Sequence, residues 1–221
     1  MTRHMKIDFV SDIMCPWCII GLGGLEEALD RASDVVAADI TFRAFELNPE
    51  MPPEGENILD HIAHKYGSSP EQSAKSREMI KARAAEVGFT VASNEKSRVY
   101  NTFDAHRLLH WARLQRRQSE LKHSFFTAVF TDQRNVADHE VLIEYAAKAG
   151  LDADEARRIL ESGTYADDVR AEENLWRSRG INSVPAIIID DKYLISGGQP
   201  PEAFEQALRN IAATEPEVLN A

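Results

Sequence analysis

Only two cysteines stand among the 221 residues, at positions 15 and 18, and their scarcity excludes several classes of protein. A disulfide-stapled secreted scaffold uses several pairs. A closed zinc site needs further ligands, and no second cysteine pair is present to supply them. A purely structural disulfide across so short a loop would constrain the unfolded chain very little. Positive charge is also short, with 25 Lys and Arg against 36 Asp and Glu and a net charge of −11 at pH 7. That balance disfavours a phosphate backbone as partner, so no nucleic-acid binding is expected. No apolar run reaches the roughly 18 residues of a membrane span, so no membrane partner is expected either. Residues 1–6 lead straight into a strand broken by Asp8 and Asp12, where a signal peptide would place an apolar core. A cytoplasmic protein is the expectation, with Met5 as a second candidate start. Repeats and low-complexity tracts are missing as well.

What is present is an ordinary core-forming composition, 43% hydrophobic, in a chain long enough for one large domain or a domain carrying an insertion. Ile7, Phe9 and Val10 predict a short buried strand over 5–10, and Ile19, Leu22, Leu25 and Leu29 recur at helical spacing behind it. Cys15-Pro16-Trp17-Cys18 therefore falls on a strand-to-helix junction. Pro16 fits the first helical turn, where its missing N–H costs nothing, and Cys15 is left at the helix mouth beside unsatisfied N–H groups. Such a setting favours a thiolate, the species that attacks. Cys18, one turn further in, is expected to be the more shielded thiol.

Residues 39–45 alternate as a second strand, and the prolines at Pro49, Pro52 and Pro53 make 46–56 a loop. From 57 to 163 the pattern is helical. Ser69-Pro70-Glu71-Gln72 combines an N-cap, a first-turn proline and a capping-box glutamine. Further helices are expected over 98–116, 119–131 and 138–149, and Asp152 with Glu155 opens another that ends near Gly163. Thr164 with Asp167 predicts the start of a helix that stops at Gly180. Ile187-Ile188-Ile189, a turn at Asp190-Asp191 and Tyr193-Leu194-Ile195 then read as a strand pair, followed by Gly197-Gly198 and a helix over 202–210.

This order, together with Asp12-Ile13-Met14-Cys15-Pro16-Trp17-Cys18 and Gly21, the stretch Asn101-Thr102-Phe103-Asp104-Ala105-His106-Arg107-Leu108, and Ser183-Val184-Pro185 with Gly197-Gly198-Gln199, resembles the DsbA family of thioredoxin-like oxidoreductases, in particular its cytoplasmic FrnE-like branch. The resemblance covers nearly the whole chain. It implies an α/β thioredoxin-like fold with a large all-helical insertion between the βαβ half and the ββα half, the thioredoxin-like domain taking 1–56 and 164–221 and the insertion 57–163. It implies dithiol–disulfide chemistry at Cys15 and Cys18, and a cis proline at Pro185 that presents the Val184 backbone to a bound thiol substrate. Trp17, Asn101, His106, Gly198 and Gln199 become candidate substrate-facing residues. No tightly bound cofactor is implied beyond the redox-active disulfide, with glutathione as a candidate co-substrate and a dimer among the assembly states left open.

The kappa-class glutathione transferases and 2-hydroxychromene-2-carboxylate isomerases share this scaffold, but generally carry serine where Cys15 stands and lack the paired cysteine. Three functions are therefore weighed. The first is a thiol–disulfide oxidoreductase, reductase or isomerase, acting on protein or small-molecule thiols and disulfides. The second is a glutathione-dependent transferase or isomerase using the Cys15 thiolate. The third is a non-enzymatic metal- or ligand-binding module. Paired thiols favour the first. Pro16 and Trp17 place no cation between the cysteines, so Trp17 is expected to form an apolar wall. A cytosolic glutathione poise of roughly −220 to −320 mV would keep a strongly oxidising pair reduced, which favours reductase or isomerase work.

Several residues carry weaker signals. His106 and His110 share a helical face near Asp104, but without the supporting glutamate of a metalloprotease pattern, and no metal site is expected. Asp12 stands where a carboxylate can relay the proton that Cys18 must lose. A solvated strand-end aspartate is the favoured reading, because negative charge opposes thiolate formation. Gly21, Gly23 and Gly24 each cost about 1 kcal/mol against alanine inside a helix, which implies a close approach by backbone or substrate. Phe125, Phe126 and Phe130 read as insertion core.

Overall fold

In the computed structural model, which describes residues 2–214, strand β1 (Arg3–Ser11) runs inside a four-stranded sheet. Every residue from Ile7 to Ser11 is buried, as expected of a strand whose two faces are both covered. Helix α1 (Pro16–Arg31) follows, then β2 (Val36–Ala44), which pairs parallel with β1 and sets Phe42 opposite Phe9. The two rings meet edge to face, with centroids 5.7 Å apart.

The chain then leaves the sheet. It forms β3 (Glu56–Asn57), α2 (Ile58–Tyr66), α3 (Pro70–Glu86), β4 (Arg98–Val99), α4 (Phe103–Leu114), α5 (Gln118–Phe126), a π-helical turn (Thr127–Thr131), α6 (His139–Lys148) and α7 (Ala153–Ser162). Helix α8 (Ala166–Ser178) leads back to β5 (Ala186–Ile189), β6 (Tyr193–Ser196) and α9 (Pro201–Ala213). Strand β5 pairs antiparallel with β1 and β6 antiparallel with β5, giving the order β2-β1-β5-β6. Asp190, Asp191 and Lys192 form the three-residue connection of the hairpin, with both aspartates at positive φ.

Helices α1 and α9 pack together beside the sheet, and the main apolar core runs from Met5, Ile7 and Phe9 through α1 into the helices between β2 and α8. A smaller cluster of Val10, Phe45, Trp176, Ile181, Ala186 and Ile188 forms against α8. The architecture is the expected α/β thioredoxin-like fold with a helical insertion. Among the described residues no helix is long and apolar enough to cross a membrane.

Local expectations are corrected at three places. The segment between β2 and α8 is not all-helical, because Glu56 and Asn57 pair antiparallel with Arg98 and Val99. The Arg98 guanidinium holds that bridge by donating to the carbonyls of Glu54 and Gly55, so the helix expected from 98 begins only at Phe103. Thr164 does not cap α8; its hydroxyl meets Ser162, and Tyr165 takes the N-cap position in the left-handed region without a side-chain bond. The capping box at Ser69 and Gln72 is formed as expected, and the N-cap at Asp152 accepts from Glu155 N. Residues 215–221, placed by the sequence in the second part of the thioredoxin-like domain, lie outside the described residues.

Candidate active site

The turn from β1 into α1 is tied at both ends of the cysteine motif: Cys15 N donates to Asp12 O at 3.2 Å, and Cys18 N to Cys15 O at 3.0 Å. Cys15 is the N-cap of α1 with Pro16 in the first turn, and that turn carries no acidic side chain. The positive end of the helix therefore faces Cys15 with no acidic side chain in its first turn. Both cysteines are free thiols, Cys15 4% exposed and Cys18 fully enclosed. The Cys15 thiol points at Val184 O, 3.6 Å away, and the Val184–Pro185 bond is cis. Gly21 and Gly24 make this closeness possible. A Cβ at Gly21 would stand 3.0 Å from Pro185 Cγ, and one at Gly24 would stand 2.8 Å from Gln199 O. The implied close approach is thus made by the chain itself.

Burial pushes the Cys18 thiol well above the ordinary range, and the neighbouring Cys15 adds to that, while Lys122 works against it. Lys122, on α5, is fully buried, and its ammonium has no hydrogen-bond partner among the described residues. Its Nζ lies 5.1 Å from the Phe126 ring centroid and 5.8 Å from that of Phe42. Burial pushes the Lys122 pKa down to about 8, against the pull of Cys18, Asp12 and Cys15.

Asp12 is buried, not solvated as the sequence favoured. Its carboxylate accepts from Leu47 N at 2.7 Å and Met14 N at 3.2 Å, and His106 Nε2 stands 3.7 Å away. Burial alone would raise the Asp12 pKa, but the facing imidazole and the two N–H donors outweigh it and hold the carboxylate below its ordinary value. Lys122 and His106 also line one small cavity of ≈ 10 Å³, about the room of one water molecule.

A much larger cavity of ≈ 610 Å³ opens on the other side of the motif, with Met14, Cys15, Pro16 and Trp17 on its wall. Of the five residues expected to face substrate, Trp17 lines this cavity and the others are engaged elsewhere. His106 is 2% exposed and turned toward Asp12, a correction that follows from the buried face of α4 on which it sits. Asn101 donates to Pro49 O and accepts from Phe103 N, fastening the start of α4. Gly198 packs against the Trp17 carbonyl, and Gln199 donates to Ser196 O. His110 stacks on Tyr165 with centroids 4.9 Å apart. Phe125 and Phe126 are core, and Phe130 also borders the large cavity.

Lys122 escaped the sequence reading although a signal existed. Gln118, Lys122, Phe125 and Val129 follow helical spacing on a buried face, and a lysine inside such a stripe is out of place unless it has a task. The cysteine geometry makes one direct expectation. Iodoacetamide should alkylate Cys15 and spare Cys18, because Cys15 lines the cavity while Cys18 is enclosed and held protonated. Peptide mass mapping after a short exposure reads this, and preferential labelling of Cys18 would reverse the assignment.

Comparison with known proteins agrees with this frame. The uncharacterized protein YwbO of Bacillus subtilis (strain 168) is 28% identical over 209 residues, covering 94% of this chain and 96% of that protein. The crystal structure of the probable DsbA oxidoreductase SCO1869 from Streptomyces coelicolor superposes with a TM-score of 0.91 at 37% identity, covering 98% of this chain and 94% of that one. The cytosolic disulfide reductase DsbM from Pseudomonas aeruginosa, solved with GSH, gives a TM-score of 0.63 at 15% identity over 95% of this chain and 100% of its own, a likeness of fold. The family model for the DSBA-like thioredoxin domain matches residues 6–209. Because that stretch runs from β1 into α9, the chain belongs to the DSBA-like thioredoxin domain family.

Proposed function

We propose that the protein is a thiol–disulfide oxidoreductase in which Cys15 is the nucleophile and Cys18 the resolving thiol. The observation that carries this reading is the asymmetry of the pair: Cys15 borders a cavity at the mouth of α1, and Cys18 lies enclosed one turn behind it, over Lys122. The Cys15 thiolate attacks one sulfur of a disulfide R–S–S–R; that S–S bond breaks, Cys15–S–S–R forms and one RS⁻ leaves. Cys18 then gives up its proton, its developing negative charge favoured by the nearby Lys122, and attacks the Cys15 sulfur. The second RS⁻ leaves and takes up a proton, so two electrons have passed from the dithiol to the substrate. A thiol reductant reverses these steps on the protein and completes the cycle.

Val184 O, now the acceptor of the Cys15 thiol, becomes free for a substrate backbone donor once that sulfur is bonded. In a cytoplasmic setting the glutathione poise favours reduction or isomerisation over oxidation. A second reading, glutathione-dependent transfer at Cys15, is favoured by the size of the adjoining cavity, which lies within the roughly 300–1,000 Å³ range of small-molecule sites.

Titration of the protein against glutathione redox buffers, followed by acid quenching and intact-mass analysis, separates these readings. Loss of two hydrogens through a Cys15–Cys18 disulfide in a single Nernstian transition is the expected result. A persistent glutathione adduct on Cys15 with no internal disulfide would favour the transferase, and two thiols inert across the whole range would leave a binding module.

A further inference from the structure

Helix α3 is mostly exposed, and its inward stripe is Ser73, Arg77, Ile80 and Ala84, spaced as one helical face. An arginine in that stripe carries a desolvation cost that a leucine would not. Arg77 reaches the large cavity beside Cys15, and its Nη1 is buried without a partner among the described residues. Its one ion pair among the described residues, from Nη2 to the exposed Glu95, is long at 3.8 Å. The other cavity arginines are already engaged, Arg98 with the carbonyls of Glu54 and Gly55 and Arg134 with Glu144.

The charge around the cavity runs against that of the chain. The sequence carries −11, yet the described residues lining the cavity include Arg77, Lys96, Arg98 and Arg134 and not one aspartate or glutamate. The remaining wall is largely apolar, with Trp17, Ile58, Ile62 and Phe130. One open cavity of ≈ 610 Å³ thus holds a nucleophilic sulfur, an apolar wall and a guanidinium with donors to spare.

We infer that this cavity receives small disulfides and thiols bearing a carboxylate, and that Arg77 is the residue that binds the carboxylate while Cys15 meets the sulfur. The inference rests on the oxidoreductase reading and adds the substrate class to it. A guanidinium and a carboxylate form parallel charge-assisted hydrogen bonds, so an anion seated against Arg77 would replace its long contact with Glu95. Such a contact positions the substrate sulfur and takes no part in the electron transfer.

Stopped-flow reaction of the reduced protein with two aromatic disulfides tests this: dithiobis(nitrobenzoate), which carries carboxylates, and dithiodipyridine, which carries none. Arg77→Met should slow the carboxylate probe on the order of tenfold to a hundredfold while changing the neutral probe by no more than about twofold, with Arg77→Lys in between. Circular dichroism and thermal melting of each variant establish that it is folded. Equal slowing with both probes, or no slowing with either, overturns the assignment of Arg77. Failure of both probes to modify Cys15 in the unaltered protein overturns the oxidoreductase reading itself, so the two failures are distinguishable.

Discussion

Cys18→Ser should trap Cys15 in long-lived mixed disulfides with whatever disulfide it attacks, and Cys15→Ser should abolish exchange altogether. The enclosed Cys18 sulfur, one helical turn from Cys15, is the resolving group because its backbone is pinned to Cys15 O and its side chain has no access to solvent. An intramolecular thiol acts at an effective concentration far above that of a millimolar external thiol, so its removal should slow release of the adduct on the order of a thousandfold or more. A serine hydroxyl in that apolar site costs about 1–3 kcal/mol if it finds no partner, and Cys18→Ala provides a second variant of similar size without the polar atom. Intact mass against time after a pulse of disulfide gives both rates. Rapid release of the adduct from Cys18→Ala, or full exchange by Cys15→Ser, would contradict the division of labour between the two sulfurs.

Lys122→Met should make the protein more stable and less able to resolve its mixed disulfide. The ammonium is fully buried, and its pKa falls from 10.5 to about 8. At 1.36 kcal/mol per unit, that shift corresponds to a cost on the order of 3 kcal/mol for holding the charge at neutral pH. Replacing a buried ion by an apolar side chain of similar volume commonly recovers about 1–4 kcal/mol.

The pH dependence has a definite sign. Below about pH 8 Lys122 is charged in both the folded and the unfolded chain and contributes no slope; above it, the unfolded chain holds a proton that the folded one lacks, so stability rises with pH. Cys18 opposes this from its ordinary value of 9.0 upward, since the folded thiol stays protonated there and the unfolded one does not. The rise is therefore cleanest between about pH 8 and 9, and Lys122→Met should flatten it. Urea unfolding across that interval measures the slope.

Resolution should behave differently from stability. If Lys122 takes the Cys18 proton, its loss should slow adduct resolution by roughly a hundredfold, the scale of general-base assistance, while leaving attack by Cys15 nearly unchanged. In the unaltered protein the resolution rate should climb with pH and level off near pH 8, where Lys122 becomes an amine; in the variant it should keep climbing toward the raised range of Cys18 itself. A variant that resolves at the normal rate with the same pH profile would confine Lys122 to a packing role.

The local elements of this protein were legible in its sequence because each is encoded by neighbours along the chain. Pro16 behind Cys15, the leucine spacing from Leu22 to Leu29, the Ser69 cap and the triple isoleucine before Asp190-Asp191 all specify structure within one or two turns, and the structure bears them as α1, α3 and the β5–β6 hairpin. At two places a distant group overrode the local signal. Residues 98 and 99 read as helix but are drawn into a bridge with Glu56 and Asn57, and Asp12 reads as a solvated strand end but is covered by Leu47 and His106.

What the sequence determined by itself was the pair of thiols, their place at a helix mouth and the order of elements around them. The family resemblance led to the Val184 backbone beside Cys15, 169 positions away, but tertiary structure alone decided the other groups around the sulfurs: Lys122 near Cys18, and Arg77 in the cavity wall. A periodic pattern tells which face of a helix turns inward, but not which face of another element it will meet. Burial gives a lysine or an arginine its chemical task only once that meeting has removed it from water.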